Sequence, residues 1–290
     1  MAAGIADERL HFAVGRELMM NQPKIIVIVV NYNNSQSTYH LCQSLENMIG
    51  YGTDYHMRCV IVDNSHGSED SSNLKKLCSR WHWVTIINSA DNPGYFAGLN
   101  RGLAKIVPDD RTWVVVGNND LFFDKTFACN LIAMVYPQNV MAVCPDIVTM
   151  EGIHQNPHVL NRIGFVRRFL FDVYFKHYYL AVLLKWLRQL IPKRKHRTHT
   201  SMPCVLHMGN GACYILTPLF FKYNRYLDCP IFLYGEEAFL SDQIHETGGI
   251  LWFEPTLRVF HAESASISQI PQRVAYEYAR SGYKQYRKLM

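Results

Sequence analysis

No stretch of this 290-residue chain reaches the roughly 18 uncharged apolar residues that a membrane-spanning helix needs, so no transmembrane segment is expected. Nor is there a Cys-x-x-Cys pair. The eight cysteines, at 42, 59, 78, 129, 144, 204, 213 and 229, are scattered, which argues against a zinc knuckle and gives no disulfide framework. Reduced thiols and a cytoplasmic setting are the expectation. Two glycine patterns are missing as well, the G-x-x-x-x-G-K-[ST] loop and the G-x-G-x-x-G fingerprint, and simple ATPases and dinucleotide oxidoreductases lose ground with them. Charged residues make up only 18% of the chain against 49% hydrophobic, the balance of a folded globule and not of a disordered chain. Residues 1–22 contain Asp7, Glu8, Arg9, Arg16 and Glu17 and no unbroken apolar run. They read as an N-terminal extension and not as a secretory leader.

What is present is regular from residue 24 onward. Lys24 to Val30 reads as a fully buried strand, Ser35 to Met48 has helical spacing, and Cys59 to Val62 reads as a second strand. A helix near 69–80, a strand at Val84 to Ile87, a helix near 95–106 and a strand at Trp113 to Val116 follow. Strands alternating with helices predict an α/β fold, a mostly parallel central sheet flanked by helices on both faces. In such sheets ligands bind at the C-terminal strand ends. Here four consecutive ends carry amides and acids: Asn31-Tyr32-Asn33-Asn34, Asp63-Asn64-Ser65, Asp91-Asn92-Pro93-Gly94 and Asn118-Asn119-Asp120. Such a rim can hydrogen-bond a base, a ribose and a metal-bound diphosphate. A short carboxylate such as Asp120 suits a hard divalent cation, Mg²⁺ or Mn²⁺. Asn and Asp also end strands for purely local reasons, so one such tip alone decides nothing.

Later segments add candidates with competing explanations. Glu236 and Glu237 follow the strand-like run Ile231 to Gly235 and open a helix that continues to Glu246. Acids are favoured in a first helical turn by its dipole, yet a carboxylate there is also held rigidly enough to act as a base. His261 closes the apolar run of Leu257, Val259 and Phe260, either as a structural residue or as a ligand. The stretch Gly94 to Gly98 either packs a helix closely on the sheet or lets a phosphate approach the backbone.

Together Val29 to Asn33, Ile61 to Ser65, Asn92 to Gly102, Asn118 to Asp120, Phe232 to Glu237 and Val259 to His261 resemble family-2 glycosyltransferases, over roughly residues 24–265. The bacterial rhamnosyl- and galactofuranosyltransferase-like branch of polysaccharide biosynthesis is the most similar. The resemblance implies a GT-A fold, a nucleoside-diphosphate sugar donor and inversion at the anomeric carbon. It implies that Asp63 contacts the base, that Asp120 is the last acid of the D-x-D metal motif and that His261 completes the metal site. Asn118 stands where that motif has its first acid, a weaker and uncharged ligand. Glu237 matches the catalytic acid of the family's Glu-Asp pair, one methylene longer, with Glu236 as the fallback. Asn31, Asn92, Gly94, Asn100 and Asn119 are the further nucleotide-sugar candidates. Asn210 and Gly211 lie in a segment that in relatives borders donor sugar and acceptor.

The halves at 23–160 and 201–268 are separated by a stretch of different character. Residues 161–200 hold ten basic side chains and one acid, Asp172, a net +9 in a chain whose total is +5. Phenylalanines, tyrosines and leucines alternate with these charges, the composition of a helical insertion lying in an anionic membrane interface or of an ordinary packed helix pair with a basic edge. Nucleic-acid binding finds no support at the strand tips. Residues 269–290 read as a basic, aromatic C-terminal helix. The expected protein is an inverting, metal-assisted transferase of cell-surface polysaccharide synthesis, peripheral on the inner face of the cell membrane. Its acceptor is a glycan or a polyprenyl-linked oligosaccharide. The alternatives are a non-catalytic nucleotide-sugar-binding protein and a membrane-surface adaptor.

Overall fold

The first strand divides its side chains between two cores. In the computed structural model, which describes residues 22–52, 54–65, 67–189, 200–263 and 272–289, Lys24–Asn31 forms β1. Ile25, Val27 and Val29 join Leu41, Leu45 and Met48 on one face, while Ile26 and Ile28 join Phe96, Leu99 and Leu103 on the other. Successive strand residues point to opposite faces, so an apolar side chain at every position is what a doubly covered strand needs. Each such side chain taken out of water contributes roughly 1.5–3 kcal/mol.

The parallel half follows in order: α1 (Ser35–Tyr51), β2 (His56–Asp63), α2 (Glu69–Cys78), β3 (Val84–Asn88), α3 (Tyr95–Leu103) and β4 (Thr112–Asn118). Strand β1 pairs in parallel with both β2 and β4, and β2 with β3. The chain therefore winds outward from β1 to β3 and returns to the other side of β1 at β4, which makes the β1–β4 junction a topological switch point. Helix α2 shows why the local sequence obeys: the Ser68 hydroxyl accepts from Ser71 N, Glu69 and Asp70 occupy the first turn, and Lys75 and Lys76 the last.

Beyond β4 the sheet becomes mixed. Elements β5 (Leu121–Phe123), α4 (Phe127–Ala133), β6 (Val140–Thr149), α5 (Phe165–Tyr174), α6 (Tyr178–Gln189), β7 (Cys204–Leu206), β8 (Cys213–Leu216), α7 (Phe220–Tyr223), α8 (Glu236–Glu246), β9 (Ile250–His261) and α9 (Gln272–Tyr286) complete the described chain. The nine strands form one sheet in the order β3-β2-β1-β4-β8-β6-β9-β5, with β7 added on β9. Strand β8 runs antiparallel to both β4 and β6, and this ladder welds the two halves together.

Two expectations meet the structure differently. Ile231 to Gly235 forms bends and not a strand, because Tyr234 and Gly235 take φ of 70° and 109°, values that turn the chain out of any ladder. The basic insertion is helical where described, but residues 190–199, with Lys193, Arg194, Lys195 and Arg197, lie outside the described residues. So do residues 1–21 and 264–271, which include most of the N-terminal extension. Helix α9 packs on the insertion through the stacked rings of Phe175 and Tyr283, whose centroids are 4.6 Å apart.

Candidate active site

The strand tips are joined into one hydrogen-bonded rim at the switch point. Parallel register sets Asn31 beside Asp63 and Val30 beside Asn118. The Asn31 amide donates to Asp63 Oδ1 (3.0 Å), Ser65 Oγ (3.1 Å) and Asp70 Oδ2 (3.0 Å), and its carbonyl accepts from Thr38 (2.9 Å) and Asn119 (3.3 Å). Asn119 also donates to Thr38 Oγ1 at 2.8 Å and to Asn34 O at 3.2 Å. Asn31 is completely buried, and both ends of its side chain are engaged by protein. These two amides therefore order the rim. Asp70 caps α1 across the gap by accepting from Ser35 N at 2.8 Å. Burial pushes its carboxyl up, but hydrogen bonds from Ser35 and Asn31 outweigh that and hold it below the usual carboxylate range.

One atom of this rim is left over. Asp63 Oδ1 is used by Asn31 and Ser65 N, whereas Oδ2, buried, has no hydrogen-bond partner. A buried acceptor without a donor costs on the order of 1–3 kcal/mol. Asp63 opens onto a cavity of about 250 Å³ shared with Ser68, Ser71, Ser72, Lys75 and Asn88.

The glycine stretch serves packing. Gly94 has φ of 98°, and a Cβ on it would collide with the Phe232 carbonyl. Gly98 and Gly102 lie equally close to Val30 and Ile28 of β1. Asn92 Oδ1 accepts from Asn64 and from Gly94 N, fixing the entry to α3. Asn100 exchanges two bonds with the Leu227 backbone, 2.9 and 2.8 Å. Gly94 and Asn100, expected at the donor, are thus occupied with holding α3 in place.

At the other side of the switch point Asp120 and His261 come together. The antiparallel β5–β9 ladder pairs Leu121 with His261, and Ala262 N donates to Asp120 O at 3.0 Å. His261 Nε2 then lies 3.3 Å from Asp120 Oδ1 and 3.2 Å from Asn118 Nδ2. Its other nitrogen, Nδ1, is 2.9 Å from Gln155 Oε1. A glutamine oxygen only accepts, so Nδ1 donates to it and the ring is oriented with Nε2 facing Asp120 and Asn118. A carboxylate and an imidazole nitrogen meeting at one point are donors of the kind a borderline-hard divalent cation takes, and the Asn118 amide beside them could offer its oxygen only by turning over, since its Nδ2 faces His261. Among the described residues no three His, Cys, Asp or Glu side chains gather in this way. A cation there would draw the rest of its shell from Asn118 and a diphosphate.

The glutamate pair is split by its helix. Glu236 is buried, accepts from Tyr234 N at 3.0 Å and is pushed up to about 7 by burial and by the adjacent Glu237. Glu237 is only partly buried and accepts from Gly211 N at 3.2 Å through Oε1. Gly211 O in turn accepts from the Tyr95 hydroxyl at 3.0 Å, and Asn118 N donates to Ala212 O at 2.9 Å. Burial and the charges of Glu236, Glu237 and Asp120 keep that phenol well above its usual range, hence protonated. The turn 209–212 therefore bridges the metal-type cluster and Glu237. Asn210 stabilises the same turn, its Oδ1 accepting from Ala212 N at 2.9 Å.

Thr38, Asp70, Tyr95 and Gln155 belong to this arrangement and were not among the expected residues. Gln155 follows β6 in a segment without periodicity, and nothing local marks it. Asp70 is read more simply as a first-turn acid.

A mixed α/β sheet flanked by helices, with polar strand ends gathered at its switch point, is the architecture of the GT-A nucleotide-sugar enzymes. The model of glycosyl transferase family 2 matches residues 26–192, more than half of the chain, and the protein belongs to that family. Comparison with curated protein sequences returned no match. Solved structures with the same fold include GalNAc-T7 with UDP, GalNAc and Mn²⁺, 17% identical with a TM-score of 0.55 over 83% of this chain. The mannosyltransferase PcManGT of Pyrobaculum calidifontis with GDP-Man and Mn²⁺ is 14% identical, TM-score 0.51, over 84%. TarS 1-349 of S. aureus with UDP-GlcNAc is 12% identical, TM-score 0.52, over 86%. The chain spans 44%, 58% and 61% of those three proteins' lengths.

Proposed function

We propose that this protein is an inverting glycosyltransferase that moves a sugar from a nucleoside diphosphate to a glycan or polyprenyl-linked oligosaccharide. The observation that carries the reading is the 3.3 Å approach of His261 Nε2 to Asp120 Oδ1, joined to Glu237 through the Gly211 turn. Asp63 Oδ2 takes an N–H of the base, and Asp120, His261 and Asn118 would hold Mg²⁺ or Mn²⁺. Such a cation, when bound, stabilises the charge that grows on the leaving diphosphate. Glu237 takes the proton of the acceptor hydroxyl as that oxygen attacks the anomeric carbon, and the bond to the diphosphate breaks with its electron pair on the leaving oxygen. The solved relatives with UDP, GDP-Man, UDP-GlcNAc and Mn²⁺ support the donor class. The sequence motifs favour the rhamnosyl- and galactofuranosyl-transferring branch of cell-surface polysaccharide synthesis. The basic, aromatic α5–α6 pair favours a place at the inner membrane face.

Asn118 and the lengthened acid Glu237 favour a second reading, a nucleotide-sugar-binding protein without turnover. Incubation with UDP-, dTDP- and GDP-sugars and Mn²⁺ separates the two. Release of nucleoside diphosphate is expected, whereas thermal stabilisation with no release in any arm establishes the binding protein.

A further inference from the structure

Helices α5 and α6 turn apolar side chains to solvent. Phe165 is 83% exposed, Tyr179 67% and Trp186 56%, with Phe169, Leu170 and Leu183 exposed beside them. The inner side of α5 is already used, Phe171 and Phe175 lying against Tyr283 of α9. Between α5 and α9 opens a cavity of about 290 Å³, floored by Phe175 and Tyr283 and ringed by Lys176, Arg280, Lys284 and Arg287. Its one lining acid, Asp172, is engaged by the Tyr283 hydroxyl at 2.8 Å and by Arg287 at 3.6 Å. Arg280 is held in place by Phe175 O at 2.9 Å and Lys176 O at 3.2 Å, and its Nη1 lies 3.5 Å from Glu277. Lys176 and Lys284 are exposed at the mouth.

We propose that this cavity binds the phosphate of an anionic membrane phospholipid, while the exposed face of α5 and α6 enters among the acyl chains. Preset guanidinium groups and mobile ammonium groups recognise a phosphate. A free phosphate accounts for the cations but not for six exposed apolar side chains, and an apolar protein partner accounts for the reverse. A phospholipid joins both chemistries in one molecule. The cavity lies at the lower end of small-ligand volumes, about 300 Å³, which suits a headgroup with its chains outside. This inference rests on the membrane-surface placement and not on the transfer chemistry.

The test is sedimentation of the full chain with phosphatidylcholine vesicles with and without phosphatidylglycerol. The unaltered protein is expected on the anionic vesicles, and K176Q/K284Q is expected to lower its partition by more than tenfold, at about fivefold per charge near the surface. K185Q/R188Q, equal in charge but off the cavity, is expected to lower it less. F165S/F169S is expected to weaken binding to the anionic vesicles, with circular dichroism and Tm confirming that each variant is folded. Equal losses in K176Q/K284Q and K185Q/R188Q, or none in the first, overturn the cavity while leaving the membrane placement standing. No vesicle binding by the unaltered protein overturns both. Inorganic phosphate that raises Tm as much as a soluble short-chain phosphatidylglycerol reassigns the cavity to free phosphate. Nucleotide-sugar turnover without vesicles scores the transferase reading separately.

Discussion

At the residue scale, the neighbouring glutamates carry different tasks. Glu237 faces the Gly211 turn, and Glu237→Gln keeps an oxygen for Gly211 N while removing the base. Turnover is expected to fall by about 10²–10⁴-fold with donor affinity little changed, measured by nucleoside diphosphate release and by donor titration. Glu236 is buried, and the folded protein holds its proton more tightly than the unfolded chain does. Its contribution therefore favours the folded state at low pH and is lost as pH rises from the ordinary glutamate range through about 7. Glu236→Gln is expected to be more stable than the parent at pH 8, by on the order of 3 kcal/mol, and to equal it near pH 4. Urea denaturation at the two pH values checks this; an advantage independent of pH rejects it. Gln155 acts through His261, and its replacement by Leu is expected to weaken Mn²⁺ affinity by roughly 10–100-fold, read by isothermal titration with metal and a nucleoside diphosphate.

At the scale of elements, β5 and β9 decide the site more than any helix does. Their antiparallel ladder places His261 at Asp120; local periodicity marks each residue only as a polar group ending an apolar run, and the family resemblance alone links the two. The loop 231–235 is the element whose type was misread. Its composition is apolar and aromatic, but its conformation is set by two left-handed residues and by the contact of Phe232 O with Tyr95 N at 3.1 Å. The same contact constrains α3 from the other side. Gly94→Ala is expected to cost on the order of 1–3 kcal/mol, seen as a lower Tm, because it imposes both a forbidden φ and a collision with that carbonyl. Unchanged Tm would mean that the loop yields.

At the scale of the molecule, one sheet carries the Asp63 cavity beside β2 and β3 and the Asp120–His261 cluster beside β4, β5 and β9. A ligand bridging both would stabilise the whole fold, by about 2.7 kcal/mol at a hundredfold excess over its Kd. The nucleoside diphosphate of the donor, found by testing UDP, dTDP and GDP, is expected with Mn²⁺ to raise Tm more than either alone. Asp63→Asn is expected to remove most of the nucleotide's contribution and leave that of the metal with inorganic diphosphate, a difference that thermal shift resolves.

The sequence alone determined the doubly covered strands, since a run such as Ile25 to Val29 satisfies two cores only in a sheet with helices on both faces. It also determined that acids and amides would gather at the strand ends, and that Glu236 and Glu237 would begin a helix. The tertiary structure decided which of those groups face outward. Asn31 and Asn119 spend their amides on one another and on Asp63 and Thr38, while Asp63 Oδ2 keeps no hydrogen-bond partner and His261 Nε2 meets Asp120 across the β5–β9 ladder. That division depends on register and on hydrogen-bond partners far apart along the chain, which local periodicity does not encode.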